Sequence, residues 1–237
     1  MSTQAGAHSA ELDRIRSEYE RRAREVDADT YQPARPANLF MRQAVERGFL
    51  RALERGGLLP LAGKRILEVG CGVGQWLADL ETWGAQREQL AGIDLISERA
   101  ERARLRVPGA EVHHGSASEL PWSDQSFDVV LQVMLLSSVL DDGLRRQIAA
   151  EMSRVLASGG ALVSLDFFVG NPVNRSVRAL TRTDLRAIFP GYAIRARRVM
   201  LAPPLARALV PRAWWAASLL QATHLFDTHA VAVLTRR

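Results

Sequence analysis

The chain has little cysteine and little lysine: Cys71 and Lys64 are the only ones among 237 residues. One thiol excludes a disulfide framework and a cysteine-rich metal site. No apolar run approaches the roughly 20 residues that cross a bilayer. No charged-then-apolar leader ends in small residues, so no signal peptide is expected and a cytoplasmic enzyme is the simplest expectation. There is no internal repeat and no low-complexity tract. What is abundant is arginine, and it gives a formal net charge of +5. A basic balance raises nucleic acid or an anionic substrate. Here the arginines are spread, as at Arg21, Arg22, Arg102, Arg104 and Arg145, and often lie beside Asp or Glu. That pattern reads as a solvated surface. Apolar residues make up 47% of the chain, enough for the core of one α/β domain with appendages.

The informative stretch is residues 65–76. Ile66, Leu67 and Val69 form a short apolar run that fits a buried strand. Gly70, Gly72 and Gly74 follow at alternate positions, and a helical period begins near Gln75 with Trp76, Leu77 and Leu80. A strand, a glycine loop and a helix let backbone approach a ligand without Cβ interference. The spacing departs from the dinucleotide pattern, whose third glycine would fall at Gln75, and Glu68 breaks the apolar strand.

Glu68-Val-Gly-Cys-Gly-Val-Gly74 resembles the first motif of class I S-adenosylmethionine-dependent methyltransferases. A second stretch, residues 115–122 followed by residues 126–130, resembles that family as well. The resemblance covers roughly residues 60–237. It implies a Rossmann-like, doubly wound sheet of seven mostly parallel strands in the order 3-2-1-4-5-7-6, the seventh antiparallel. It implies S-adenosylmethionine as cofactor. Backbone amides around Gly70, Cys71, Gly72 and Gly74 and in the first turn of the helix that follows would hold its methionine carboxylate, with Glu68 favouring its positively charged part. Cys71 would contribute backbone only.

The strand–helix alternation supports that architecture on its own terms. Strands are expected at residues 90–95, 110–116, 127–133, 161–168, 192–201 and 228–235, with helices at 75–83, 97–106 and 141–156. Before them, residues 1–10 read as a disordered tail, and residues 11–58 as an N-terminal helical cap with Leu12, Ile15 and Tyr19 on one face. Asn38 could cap the second helix, Ser97 the helix of 97–106, and Gly159-Gly160 would stop the helix of 141–156. The remainder, 59–237, is the methyltransferase-like domain.

Asp94 ends the second strand, where a carboxylate can accept both ribose hydroxyls. Leu95 follows it. Ser116 stands where the family usually has an Asp that accepts from adenine, and a hydroxyl accepts more weakly there. The Ala117 N–H could bond the adenine ring. His113 and His114 are adjacent in a strand and face opposite sides, so they do not share a metal ion. Gln132 closes the fourth strand without the Asn/Asp-Pro-Pro-aromatic motif of nucleic-acid amine methyltransferases, and is expected to line the transfer site. Asp166 leaves the fifth strand as a candidate general base, or as a loop-capping acid. Tyr31, in a proline-broken segment, is a candidate cofactor contact by resemblance.

The connection over residues 202–227 is far longer than a hairpin needs and is apolar. A helical insertion carrying Trp214 and Trp215, with His224 beside it, would wall an apolar acceptor pocket. A core layer, a homodimer face and a membrane-surface helix flanked by Arg207 and Arg212 remain alternatives. The expected function is methyl transfer to a small natural-product or lipid-like acceptor. An RNA methyltransferase, a NAD-dependent oxidoreductase and a non-catalytic cofactor-binding subunit are the alternatives.

Overall fold

The computed structural model describes residues 2–25, 32–170 and 174–237. In chain order these form α1 (Ser2–Glu25), α2 (Pro36–Arg55), β1 (Ile66–Val69), α3 (Gln75–Thr82), β2 (Leu90–Asp94), α4 (Ser97–Arg106), β3 (Glu111–His114), β4 (Phe127–Val133), α5 (Asp142–Val155), β5 (Leu156–Phe167), α6 (Arg182–Ile188), β6 (Tyr192–Leu201), α7 (Pro203–Leu209), α8 (Trp214–Ala222) and β7 (Asp227–Arg236). The strands make one seven-stranded sheet in the order β3-β2-β1-β4-β5-β7-β6. β1 lies between β2 and β4 and is parallel to both, while β7 runs antiparallel to β5 and β6. This is the sheet the family resemblance implied.

β1 and β2 are buried at every position, which is why they read as apolar runs rather than alternating ones. On one face of the sheet, Leu144, Ile148 and Met152 of α5 pack against Val130, Leu162 and Ala232. On the other, Val45, Phe49 and Leu53 of α2 pack with Leu77, Leu131, Val163 and Val231. A third cluster joins Phe40 and Met41 of α2 to Leu201, Ala206, Val210 and Ala217, fastening α7 and α8 to the end of β6.

Three local expectations are corrected. The helix expected from Glu11 begins at Ser2 and so takes in residues 2–10, read from sequence as the tail. Extending a formed helix avoids the nucleation cost, and the alanines there are good helix formers. Asn38 does not cap α2. Pro36 opens that helix, and the Asn38 amide donates to the Gln32 carbonyl at 3.0 Å. Gly159-Gly160 is not a helix stop. β5 starts directly at Leu156, pairs with Phe127, then shifts register before Ala161 pairs with Val129. Gly159 takes φ 80° in that bulge, and a Cβ at Gly160 would meet the Asp128 carbonyl at 2.7 Å.

Candidate functional site

The glycine loop after β1 is needed for both conformation and space. Gly70, Gly72 and Gly74 have φ of 76°, 57° and 74°, where an L side chain is strained. A Cβ at Gly74 would stand 3.0 Å from Ala103 of α4, and one at Gly70 would stand 3.1 Å from Leu135. The loop is thus pressed between α4 and the segment after β4. Its amides make hydrogen bonds within the protein. Gly70 and Cys71 N–H both donate to the Ile93 carbonyl, at 2.8 and 2.9 Å. Gly72 N–H donates to Asp94 Oδ2 at 2.8 Å, and Gly74 N–H to the Cys71 carbonyl at 2.9 Å. These four groups hold the loop's own shape.

Cys71 is buried, and its Sγ would lie 2.9 Å from a Cβ at Gly92. Burial, with Glu68 and Asp94 adding negative charge, pushes its thiol well above the ordinary value, so the side chain packs rather than reacts. Glu68 lies beneath the loop, 2% exposed. Its carboxyl receives the Leu77 N–H at the start of α3, while Oε2 is buried without a partner. Burial, reinforced by the charges of Asp94 and Asp79, raises its pKa well above the carboxylate range.

A cavity of about 160 Å³ opens where β1, β2 and β4 end. Gly70, Asp94, Leu95, Ser116, Ala117, Val133, Met134 and Leu135 line it. This is the switch point of the sheet, since β1 is flanked by β2 on one side and β4 on the other. Asp94 is 6% exposed; besides Gly72 it accepts the Ile96 N–H through Oδ1 at 3.0 Å. That bond, not Ser97, shapes the entry to α4, whose start has no side-chain cap. The Ser116 and Ser118 hydroxyls bond each other at 2.7 Å, which keeps the loop after β3 compact. His113 bonds Glu111 and His114 bonds the Leu95 carbonyl.

Two contributions to the cavity escaped the sequence reading. Leu12, Ile15 and Tyr19 of α1 form its cover. Their apolar stripe was legible, but not what it would pack on. α1 is pinned there by Glu11, which accepts the Leu140 N–H at 2.5 Å, and by Arg14, which donates to the Ser138 carbonyl at 2.6 Å. Burial opposes the Glu11 charge, yet Arg14 and the Leu140 and Asp141 amides keep its pKa below the ordinary value. The other contribution is Arg99. Its guanidinium stands 4.4 Å from the Tyr19 ring centre, and Nη2 would be 2.5 Å from a Cβ at Gly72. Burial works against its charge, and Asp94 and Tyr19 outweigh that effect. Nothing in an arginine-rich sequence singled it out.

The expectation for Gln132 is corrected: it is fully buried and does not line the cavity. Its Nε2 donates to Ser164 Oγ at 2.6 Å and to Asp166 at 3.2 Å, and its Oε1 accepts the Leu135 N–H at 2.9 Å and the Leu136 N–H at 3.2 Å. Asp166 is 3% exposed and accepts the Ser137 and Phe167 amides at 3.2 and 3.1 Å as well. The pair locks the ends of β4 and β5 to the segment that follows β4. Burial raises Asp166 to about 6, against the pull of those donors. Its carboxylate caps the segments after β4 and at the end of β5, which matches the second of the two roles expected for it.

Trp214, Trp215 and His224 do not reach the cavity lined by Asp94. Trp214 sits edge-on to Phe40, with centroids 5.3 Å apart, and Trp215 is 70% exposed. His224 Nδ1–H donates to the buried Asp227 at 2.7 Å, and Arg197 donates to Nε2 at 3.2 Å. Tyr31 lies outside the described residues.

Comparison with known proteins bears on this arrangement. The methyltransferase-domain family matches residues 67–164. The 27-O-demethylrifamycin SV methyltransferase of Amycolatopsis mediterranei is 35% identical over 133 residues, 53% of this chain and 47% of that protein. The phthiotriol/phenolphthiotriol dimycocerosates methyltransferase of Mycobacterium tuberculosis is 35% identical over 132 residues, 55% of this chain and 47% of that one. The chain thus spans about half the length of the curated relatives it matches. Among solved structures, a methyltransferase from Thermotoga maritima superposes with a TM-score of 0.57 at 20% identity, covering 96% of this chain and 99% of that one. The cyclase SpnF does so with 0.58 at 21% identity over 82% of each chain, so the fold alone does not fix the reaction. The matched stretch, the glycine loop and the sheet order together identify residues 67–164 as a methyltransferase domain of the class I S-adenosylmethionine-dependent type.

Proposed function

We propose that the chain binds S-adenosylmethionine in the cavity over β1, β2 and β4 and moves its methyl group to a small, apolar natural-product or lipid-like acceptor. The observation that carries this is the convergence of Asp94, the Ser116–Ala117 loop and Val133 to Leu135 at the sheet's switch point, beneath α1. Asp94 would accept the ribose hydroxyls through the lone pairs its two backbone contacts leave. Ser116 and Ala117 would face the adenine. The cofactor supplies an already activated methyl group, so the protein's share is alignment and water exclusion.

α1 would be the cover, with Leu12 and Ile15 keeping water from the transfer line. Because Asp166 is enclosed by donors, an acceptor that must lose a proton would lose it to solvent or to its own neighbouring group. The names of the rifamycin and dimycocerosate relatives favour a lipophilic acceptor, and a cytoplasmic location belongs to the same reading.

Thermal unfolding with S-adenosylhomocysteine and, separately, NAD tests the cofactor assignment. Stabilisation by the first alone is expected, and stabilisation by NAD alone would overturn it. Incubation with the labelled donor and a panel of lipophilic hydroxyl and quinol acceptors, read as a mass gain of one methylene, tests the transfer.

A further inference from the structure

Outside the cavity, the most unusual surface is α8 with the turn that follows it. Trp215 is 70% exposed and Leu219 64%, one helical turn apart on the same face. Leu225 and Phe226 in the turn are 72% and 48% exposed. Trp214 is half-buried beside them. Large apolar side chains grouped this way mark an interaction surface rather than ordinary scatter.

The charge around them has one sign. From residue 185 to residue 226 the chain has no Asp or Glu. Arg207 and Arg212 are exposed on either side of the α7–α8 junction. Arg198 lies over the Phe168 ring at 4.7 Å, and Arg197 reaches His224. The one acid that follows, Asp227, is 3% exposed and taken up by Gln221 and His224. Elsewhere several arginines are paired with neighbouring acids, as in the Arg21–Glu18 and Arg154–Glu151 bridges.

We propose that α8 and the 223–226 turn dock on a membrane surface bearing anionic lipids, with Trp215, Leu219, Leu225 and Phe226 entering the headgroup boundary and Arg207 and Arg212 meeting lipid phosphates. Aromatic and aliphatic side chains in a stretch whose exposed charges are arginines suit that boundary, where apolar area and anionic charge lie a few ångströms apart. A second copy of this chain is a poorer occupant. A two-fold interface would bring the same arginines of both copies together with no acid between them. A nucleic-acid backbone would attract the arginines and leave Leu219 and Leu225 in water. The position also has a consequence. β6 ends and β7 begins at the sheet edge where β1 and β4 end, because β7 runs antiparallel to β5 and β6. Docking would turn the edge that carries the cofactor cavity toward the lipid. The docking itself does not depend on the reaction assigned to that cavity.

The test is sedimentation of the full chain with vesicles of phosphatidylcholine alone and of phosphatidylcholine mixed with phosphatidylglycerol. Binding to the mixed vesicles, weakened by salt, is expected. Trp215→Ser and Leu219→Ser should each lower the partition coefficient about tenfold, and Arg207→Gln and Arg212→Gln about fivefold each. An unchanged thermal shift with S-adenosylhomocysteine would certify that each variant is folded. Should an α8 variant unfold, Leu225→Ser in the turn carries the same expectation. Wild-type protein that ignores both vesicles would overturn the proposal. So would a salt-stable dimer that Trp215→Ser dissociates, or RNA binding that displaces the chain from vesicles and survives Trp215→Ser.

Discussion

Replacing Asp94 by Ala is the perturbation that tests most of this reading at once. In the protein without ligand, the carboxylate accepts Gly72 N–H at 2.8 Å and Ile96 N–H at 3.0 Å. Hydrogen bonds to a charged acceptor contribute about 1.5–3 kcal/mol each, and the exposed amides recover part of that from water. Relief of the buried Glu68, whose pKa Asp94 helps to raise, offsets a further share. A net loss of about 2 kcal/mol, or a Tm lower by about 4–8 °C, is expected for a chain of this size. Ligand affinity is a separate loss. Two ribose hydroxyls donating to one carboxylate at about 1.5 kcal/mol each make about 3 kcal/mol, roughly 150-fold in Kd. Calorimetric titration of S-adenosylhomocysteine, run well below the variant's Tm, reads that number. Asp94→Asn, which keeps one acceptor oxygen, should fall between wild type and Asp94→Ala. A folded Asp94→Ala protein that binds as tightly as wild type would refute the placement of the sugar, and with it the orientation of the whole donor.

Other expectations follow from the same geometry. Gly74→Ala combines left-handed strain with a contact at 3.0 Å to Ala103, and should cost about 2–4 kcal/mol in denaturant unfolding. Gly63→Ala has φ 78° but open space around its Cβ, so it should cost only about 1 kcal/mol. Burial lowers His229 to about 4 and raises Asp166 to about 6. Between pH 6.5 and 4 the unfolded chain takes up the His229 proton that the native protein refuses, so that residue withdraws stability as pH falls. Between pH 3.8 and 6 native Asp166 keeps a proton that the unfolded chain has lost, so its contribution is withdrawn as pH rises. Each effect is about 3 kcal/mol, and they oppose one another. Relative to wild type, His229→Gln should therefore gain stability from pH 6 to 4.5 and Asp166→Asn should lose it, both read by urea unfolding. Arg99→Ala removes the nearer of the two arginines over the Tyr19 ring. Hydrogen exchange should then rise in residues 12–19 while β1, β4 and β5 stay protected.

Much of the site was legible because its logic is local. Alternate glycines after an apolar strand, and an acid closing the next strand, are decided by φ angles and by strand length, and both lie within about 30 residues. The loop of residues 115–118 was an expectation of the family resemblance alone. Asp166 and Gln132 show the limit. Each sits where a strand leaves the sheet, and from sequence each could face a substrate. Only the register of β4 on β5, with Gln132 opposite Ser164, turns the two side chains toward each other and spends their polar atoms.

The sequence by itself determined the α/β alternation, the seven strands and the identity of the glycine loop, since these rest on hydrophobic period and backbone permissiveness. Tertiary structure alone decided that the loop's amides brace Ile93 and Asp94. It also decided that α1 supplies the cover through Tyr19 and that Arg99 stands over Gly72. The apolar side chains of α8, legible as a substrate wall, were left facing water. Those outcomes depend on which distant surfaces meet, and a one-dimensional pattern holds no term for that.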